Sequence, residues 1–179
     1  MKRYSFSSIF TEAFRDNLGW EKAWTKRHPR KEYQIIIVGG GGHGLATAYY
    51  LAKNYNITDI AVIEKGWIGG GNTGRNTTII RSNYLQESSI GIYEKSRFLY
   101  ETLSQDLNYN IMFSPRGVLM LCQTEHELRA MKRTSHANRI NGVDTKMVTP
   151  EEVKEIVPII NIHGPRFPVL GALWQPRGG

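Results

Sequence analysis

The 179-residue sequence predicts an α/β fold: a parallel strand–helix–strand unit beginning near residue 33, followed by the start of a second, α+β domain. Three observations carry this reading. Residues 33–38, Tyr-Gln-Ile-Ile-Ile-Val, form a β-branched and nearly continuous apolar run, as in a parallel strand covered on both faces. A cluster of glycines at 39–42 and 44 follows at once and opens a stretch with helical spacing and small residues. A second strand-sized apolar run, Ile60-Ala-Val-Ile63, lies one helix length downstream.

Composition places the chain among globular proteins, with 40% hydrophobic and 22% charged residues. No apolar run approaches the roughly 18–20 residues of a membrane span. One cysteine, Cys122, leaves neither an internal disulfide nor a CxxC pair, so a reducing, cytoplasmic compartment is expected. The net charge of +7 is uneven, because residues 1–32 hold eight basic against four acidic side chains. That asymmetry favours anionic partners in general, but no zinc-finger, helix-turn-helix or basic–aromatic sheet pattern accompanies it, and nucleic-acid binding is not expected. His28, His43, His126, His136 and His163 lack paired ligand spacing, so no metal is expected either.

Along the chain, Phe6, Ile9, Phe10, Ala13, Phe14 and Leu18 recur at helical spacing, followed by Trp20 and Trp24, and make a basic, amphipathic arm over residues 1–32. Its apolar face has three readings: packing on its own domain, docking to another subunit, or lying on a membrane surface. A strand is predicted at 33–38, a helix from His43 and a strand at 60–63. A helix is predicted over 85–107, with a seam of Leu85, Ser89, Tyr93, Ser96, Leu99, Leu103 and Leu107. Gly117 opens a strand over Val118–Cys122. Thr124 with Glu127 reads as a capping box before a helix that ends at Asn141-Gly142. Residues 145–148 form a further strand, and Thr149-Pro150-Glu151-Glu152 an N-cap, a first-turn proline and a box glutamate, with Pro158 closing the helix. Prolines 158, 165, 168 and 176 then break regular structure except for a strand at 171–174. The domain boundaries read from this pattern are 33–110 for the nucleotide-binding part, 111–170 for the beginning of a substrate domain and 171–179 for a segment returning toward the cofactor.

Gly39, Gly41 and Gly44 fill GxGxxG between a strand and a helix, a Rossmann-like arrangement for an FAD or NAD(P) dinucleotide. The first glycine permits the tight turn, the second lets backbone N–H groups approach a pyrophosphate, and the third allows close helix–strand contact. Unpaired N–H groups and the helix dipole then favour the phosphates. Glu64 ends the second strand twenty residues after Gly44, the spacing of a carboxylate that accepts ribose hydroxyls. A Walker loop is excluded, since no Lys-Ser or Lys-Thr follows the glycines. His43 fits either a cofactor-lining role or simple packing at the helix start.

A second loop, Gly69-Gly-Gly-Asn-Thr-Gly-Arg-Asn-Thr-Thr78, follows the acid and exceeds what a simple nicotinamide site requires. It can bring N–H groups, Asn72, Thr73 and Arg75 onto phosphates and a flavin, while Arg81 and Tyr84 extend toward a substrate face. The bland alternative is a surface excursion between elements.

The residues from Tyr33 to Tyr84, Asn138-Arg-Ile-Asn-Gly-Val-Asp144 and Gly171-Ala-Leu-Trp-Gln-Pro-Arg-Gly-Gly179 together resemble the beta subunits of heterotetrameric sarcosine oxidases, within the D-amino-acid-oxidase-like group of FAD-dependent oxidoreductases. The resemblance covers essentially the whole chain. It implies FAD on this chain, contacted by Gly39, Gly40, Gly41, Gly42, His43, Gly44, Glu64, Lys65, Gly71, Asn72, Thr73, Arg75, Asn76 and Ile80. It further implies FMN at an interface with an alpha subunit, gamma and delta subunits completing the heterotetramer, and NAD elsewhere in the assembly. The implied reaction is oxidative demethylation of sarcosine by hydride transfer to flavin, with hydrogen peroxide formed and the one-carbon unit passed to tetrahydrofolate. The same resemblance places the FMN-attaching histidine and the rest of the substrate pocket beyond Gly179, so the chain reads as an N-terminal fragment, inactive alone, with no catalytic residue assigned. The competing readings are another FAD-dependent amine or amino-acid oxidase or dehydrogenase, and a non-catalytic flavin-holding or docking module.

Overall fold

The computed structural model describes residues 5–20 and 28–179. The chain divides into two compact units between Thr77 and Thr78.

The first unit holds helix α1 (Phe6–Ala13), strand β1 (Ile35–Val38), helix α2 (Gly42–Tyr55) and strand β2 (Ile60–Ile63). β1 and β2 pair in parallel, with Ile35 opposite Ile60 and Val38 opposite Ile63. α2 provides the crossover, and it ends where Asn56 adopts the left-handed conformation and returns its N–H to the last turn. Arg30 pairs with Asp59, whose other oxygen accepts the Gln34 N–H at 3.1 Å, which fixes the start of β1 beside the start of β2.

The expected two-sided burial of β1 is not found. Ile35 and Ile37 are half-buried, whereas Ile36 is 56% and Val38 85% exposed. The physical reason is local: α2 covers one face of a two-stranded ribbon, and alternation along a strand sends every second side chain to the other face. α1 begins at an N-cap, the Ser5 hydroxyl accepting the Ser8 N–H at 3.1 Å, and buries none of its residues. Within the described residues its apolar face is thus left to solvent. The expected contribution of Trp24 lies outside the described residues.

The second unit contains α3 (Glu87–Leu107), β3 (Val118–Cys122), α4 (Glu125–Ile140), β4 (Lys146–Val148), α5 (Pro150–Ile156) and β5 (Gly171–Gln175). Its antiparallel sheet has the order β3-β5-β4. Val148, Val153, Ile162, Val169 and Ala172 form the core, with Leu119, Ile160 and Trp174 packed at its margin. Both predicted capping boxes form: Thr124 and Glu127 at α4, and Thr149 and Glu152 at α5, each exchange a hydroxyl–N–H and a carboxylate–N–H bond. α4 turns a polar face inward, burying Thr134, Ser135 and Asn138 rather than large apolar groups.

The predicted seam of α3 is followed in part: Ser89, Ser96, Leu99, Leu103 and Leu107 are half-buried, whereas Leu85 and Tyr93 are exposed and the fully buried positions are Ile90 and Arg97. A charge at a buried position escapes an apolar count. It is tolerated here because carboxylates from Glu94 and Glu101 flank it on the same helix.

Candidate functional site

The turn after β1 is built by glycine for steric reasons. The Gly39 N–H donates to the Ile63 carbonyl at 2.7 Å, so the chain leaves β1 still joined to the end of β2. Gly39 then takes φ +108°, a conformation that strains any side chain. A Cβ at Gly44 would lie 2.0 Å from the Gly39 carbonyl oxygen and 3.3 Å from Ile37 Cγ2, so glycine is what lets α2 start this close to its strand.

Glu64 is held by backbone donors on both of its oxygens. Oε2 accepts the Gly40 N–H at 2.8 Å and Oε1 the Gly66 N–H at 2.9 Å. These bonds, Gly66 first and Gly40 next, hold the carboxyl below its ordinary value, because they favour the charged form. A Cβ at Gly40 would press on Glu64 Cβ at 3.1 Å, so the identity of residue 40 and the placement of the acid are linked.

The second glycine loop folds over the first. The Gly69 N–H donates to the Gly40 carbonyl at 2.9 Å. Asn72–Arg75 form a single 3-10 turn. From it the Thr73 hydroxyl accepts the Gly42 N–H at 2.9 Å and would stand 3.1 Å from a Cβ at Gly41. The Asn76 side-chain amide donates to the Thr73 carbonyl at 2.7 Å and steadies that turn.

Of the residues singled out from sequence, Gly39, Gly40, Gly41, Gly42, Gly44, Glu64, Thr73 and Asn76 thus form one connected cluster at the ends of β1 and β2. His43 is exposed on the first turn of α2, where its carbonyl accepts the Thr47 hydroxyl at 2.8 Å. Lys65 is exposed just after Glu64, and Gly71, Asn72 and Arg75 are exposed along the second loop. Ile80 lies in the second unit, where its backbone exchanges two hydrogen bonds with Gly179, at 2.6 and 3.0 Å. The cluster offers a helix N-terminus to an anion and a fixed carboxylate to neighbouring hydroxyls; residues 40–42 carry no side chains of their own, and the Thr73 hydroxyl is what sits on the Gly42 N–H. Among the described residues no group of side chains could hold a metal ion, and no helix is long and apolar enough to cross a membrane.

In the second unit, Arg81 and Tyr84 engage each other, the guanidinium lying 4.3 Å from the ring centroid. Arg81 also donates to Asn83 Oδ1 at 2.7 Å, and the Tyr84 ring stacks on Tyr93 at 4.3 Å. Beside them runs a buried polar network that sequence reasoning missed. Gln175 accepts the Ser82 N–H at 3.1 Å and donates to its hydroxyl at 2.6 Å. The Ser82 hydroxyl bonds Glu94, which is paired with Arg97, and Glu101 links Arg97 to Arg177. Arg97 holds the Glu94 carboxyl below its ordinary range. The spacing of Glu94, Arg97 and Glu101 was a readable signal for ion pairing on one helix face. The link to Gln175, 93 residues from Ser82, was not.

The profile of the FAD dependent oxidoreductase family matches residues 34–179. The chain is 64% identical over all 179 of its residues to sarcosine oxidase subunit beta of Rhodobacter capsulatus, covering 43% of that relative. It is 58% identical over 160 residues to the subunit of the same name from an Arthrobacter species, covering 89% of this chain and 40% of the relative. The chain thus spans about two fifths of the length of these curated relatives. Among solved structures, L-proline dehydrogenase from P. horikoshii matches with a TM-score of 0.75 and 34% identity, over 84% of this chain and 38% of that one. Since the family profile takes in the glycine turn, the clamped acid, the second loop and the whole antiparallel unit, the chain belongs to the FAD-dependent oxidoreductases.

Proposed function

We propose that this chain is the FAD-holding part of a sarcosine-oxidising subunit in a cytoplasmic, multi-subunit enzyme. The observation that carries the reading is the double clamp on Glu64, beside an α2 N-terminus kept open by glycine. A carboxylate oxygen has a second lone pair beyond the one each backbone N–H uses, so Glu64 keeps acceptor capacity for two ribose hydroxyls. The Gly41 N–H, and the Gly42 N–H once Thr73 yields it, would receive the pyrophosphate, with Asn72, Thr73, Arg75 and Asn76 on the second loop beside them. The 64% identity to a sarcosine oxidase subunit beta supports the substrate.

FAD, when bound, supplies the acceptor for the hydride that leaves the N-methyl carbon of the amine. The chain's own residues bind and orient it and exclude water from the phosphates. The reading extends to FMN at an alpha-subunit interface, to gamma and delta subunits, and to passage of the one-carbon unit to tetrahydrofolate. The word "subunit" in both relatives' names supports an assembly, and a single cysteine suits a reducing cytoplasm.

Titrating FAD into the purified chain and into Glu64→Gln tests the cofactor, and sarcosine-dependent peroxide production by the assembled enzyme tests the substrate. The structural likeness to an L-proline dehydrogenase favours one alternative, another secondary amino acid as donor. Comparing sarcosine with L-proline in the same assay decides between them.

A further inference from the structure

On α1 the rings of Phe6, Phe10 and Phe14 make a continuous ladder. Phe6 stacks on Phe10 with centroids 6.2 Å apart, and Phe10 meets Phe14 edge-on at 5.0 Å. Spacing of four residues sets the three rings on one face of the helix. They are 85%, 57% and 78% exposed, and Ile9 and Leu18 extend the apolar surface beside them. The segment is nonetheless tightly finished. Ser5 caps its start, and after its end Asp16 and Asn17 take left-handed conformations that let Glu12 accept the Gly19 N–H at 2.7 Å. A capped helix that presents a preformed aromatic face to water is built for a partner, since apolar patches of this kind otherwise favour aggregation.

Two further observations identify the partner's chemistry. The family profile begins at residue 34, whereas the alignment with the Rhodobacter capsulatus subunit runs across the entire chain. The arm is therefore additional to the shared fold and is present in a relative named as a subunit. Basic residues also bracket the ladder in sequence, with Lys2 and Arg3 before it and Lys22, Lys26 and Arg27 after it, within a segment of net charge +4. Like charge disfavours pairing with a second copy of the arm and favours an acidic surface. We infer that α1 seats its phenylalanine ladder in an apolar, acid-rimmed groove on the alpha subunit of the same enzyme. This rests on the multi-subunit reading proposed above.

The test uses the full-length chain with the purified alpha subunit, comparing the unaltered protein, Phe6→Ser/Phe10→Ser/Phe14→Ser, and a deletion of residues 1–20. Binding is followed by calorimetry, with FAD affinity and circular dichroism as checks that residues 34–179 are intact. Aromatic anchors dominate interfaces, so the triple variant is expected to bind at least about 100-fold more weakly with FAD affinity unchanged. Raising NaCl should weaken the unaltered complex further. Equal affinity in all three proteins overturns the inference while leaving the assembly intact. No complex even with the unaltered chain overturns the multi-subunit reading and the inference together. Arm-dependent sedimentation with phosphatidylglycerol vesicles, or arm-dependent self-association, without any effect on alpha-subunit binding, also overturns it and assigns the ladder to a membrane or to a second copy.

Discussion

The Thr73 hydroxyl oxygen accepts the Gly42 N–H at 2.9 Å, so a side chain of the second glycine loop occupies the donor that a pyrophosphate would approach. Bound phosphate would take that N–H and leave the hydroxyl free to donate its own proton to a phosphate oxygen. The same hydroxyl, an acceptor for the Gly42 N–H, would then act as a donor to the phosphate.

Thr73→Val keeps the shape and removes both roles. Loss of one such hydrogen bond predicts FAD affinity lower by about fivefold or more, while Thr73→Ser stays within about threefold of the unaltered protein. Fluorescence quenching of FAD on titration measures both. Equal affinity in the valine variant removes Thr73 from the site.

The glycines of the first loop differ in what replaces them. A Cβ at Gly44 would overlap the Gly39 carbonyl at 2.0 Å, whereas at Gly42 it would meet Thr73 Oγ1 at an ordinary 3.6 Å. Gly44→Ala is therefore expected to cost about 1–3 kcal/mol by forcing helix and strand apart. Gly42→Ala should unfold close to the unaltered protein in urea. Matching midpoints for Gly44→Ala and the parent would show that the turn yields easily.

Glu64 gives a pH prediction with a definite sign. Its carboxyl is held below the ordinary 4.5 by the N–H groups of Gly66 and Gly40. A depressed folded-state value means the clamp is fully present above the ordinary value and is lost as pH falls through the lower one. FAD affinity followed from pH 7 downward should stay level through the ordinary carboxylate range and decline below it. Glu64→Gln, which has only one acceptor atom for two N–H donors, should bind at least about tenfold more weakly at neutral pH. A decline centred at the ordinary value would mean that the clamp does not operate in solution.

Arg97 is 2% exposed between two carboxylates, and its side chain reaches toward the segment that follows β5. Replacing it with leucine leaves the half-buried Glu94 without its paired cation and Glu101 with Arg177 alone. About 3 kcal/mol of stability in the second unit should be lost. Lysine should restore only part, because one ammonium cannot form the planar fork that now serves both acids. Urea midpoints followed by circular dichroism rank the three proteins.

Much of this architecture was legible because it rests on local chemistry. β2 and β3 fall where apolar runs bounded by turn residues place them, and both capping boxes were readable as a threonine with a glutamate three residues later. The glycine turn was legible for the same reason, a steric demand met within a few residues. What stayed hidden depends on partners distant in sequence. Whether β1 is covered on both faces depends on how many layers assemble around it, which its six-residue apolar run does not state. The bond between Ser82 and Gln175 depends on a meeting of the segment before α3 with β5, and Arg97 reaches the Arg177 carbonyl beyond β5, meetings that no local pattern encodes. Thr73 was named among the phosphate contacts, but its seat on Gly42 emerges only once two loops are folded together.

The place of β5 in its sheet has a temporal meaning. It follows β3 and β4 in sequence and stands between them in space, joining residue 118 to residue 175 on one side and residue 148 to residue 172 on the other. β3 and β4 therefore have no common neighbour while the chain is being made. Until residues 171–175 leave the ribosome, the two earlier strands expose open edges, and the pairing that closes them spans most of the unit. Such non-local pairing slows folding and lengthens the interval during which edges can find the wrong partner. The unit's vulnerability lies in its assembly as much as in its finished form, and a chaperone would meet it as two orphan strands waiting for a third.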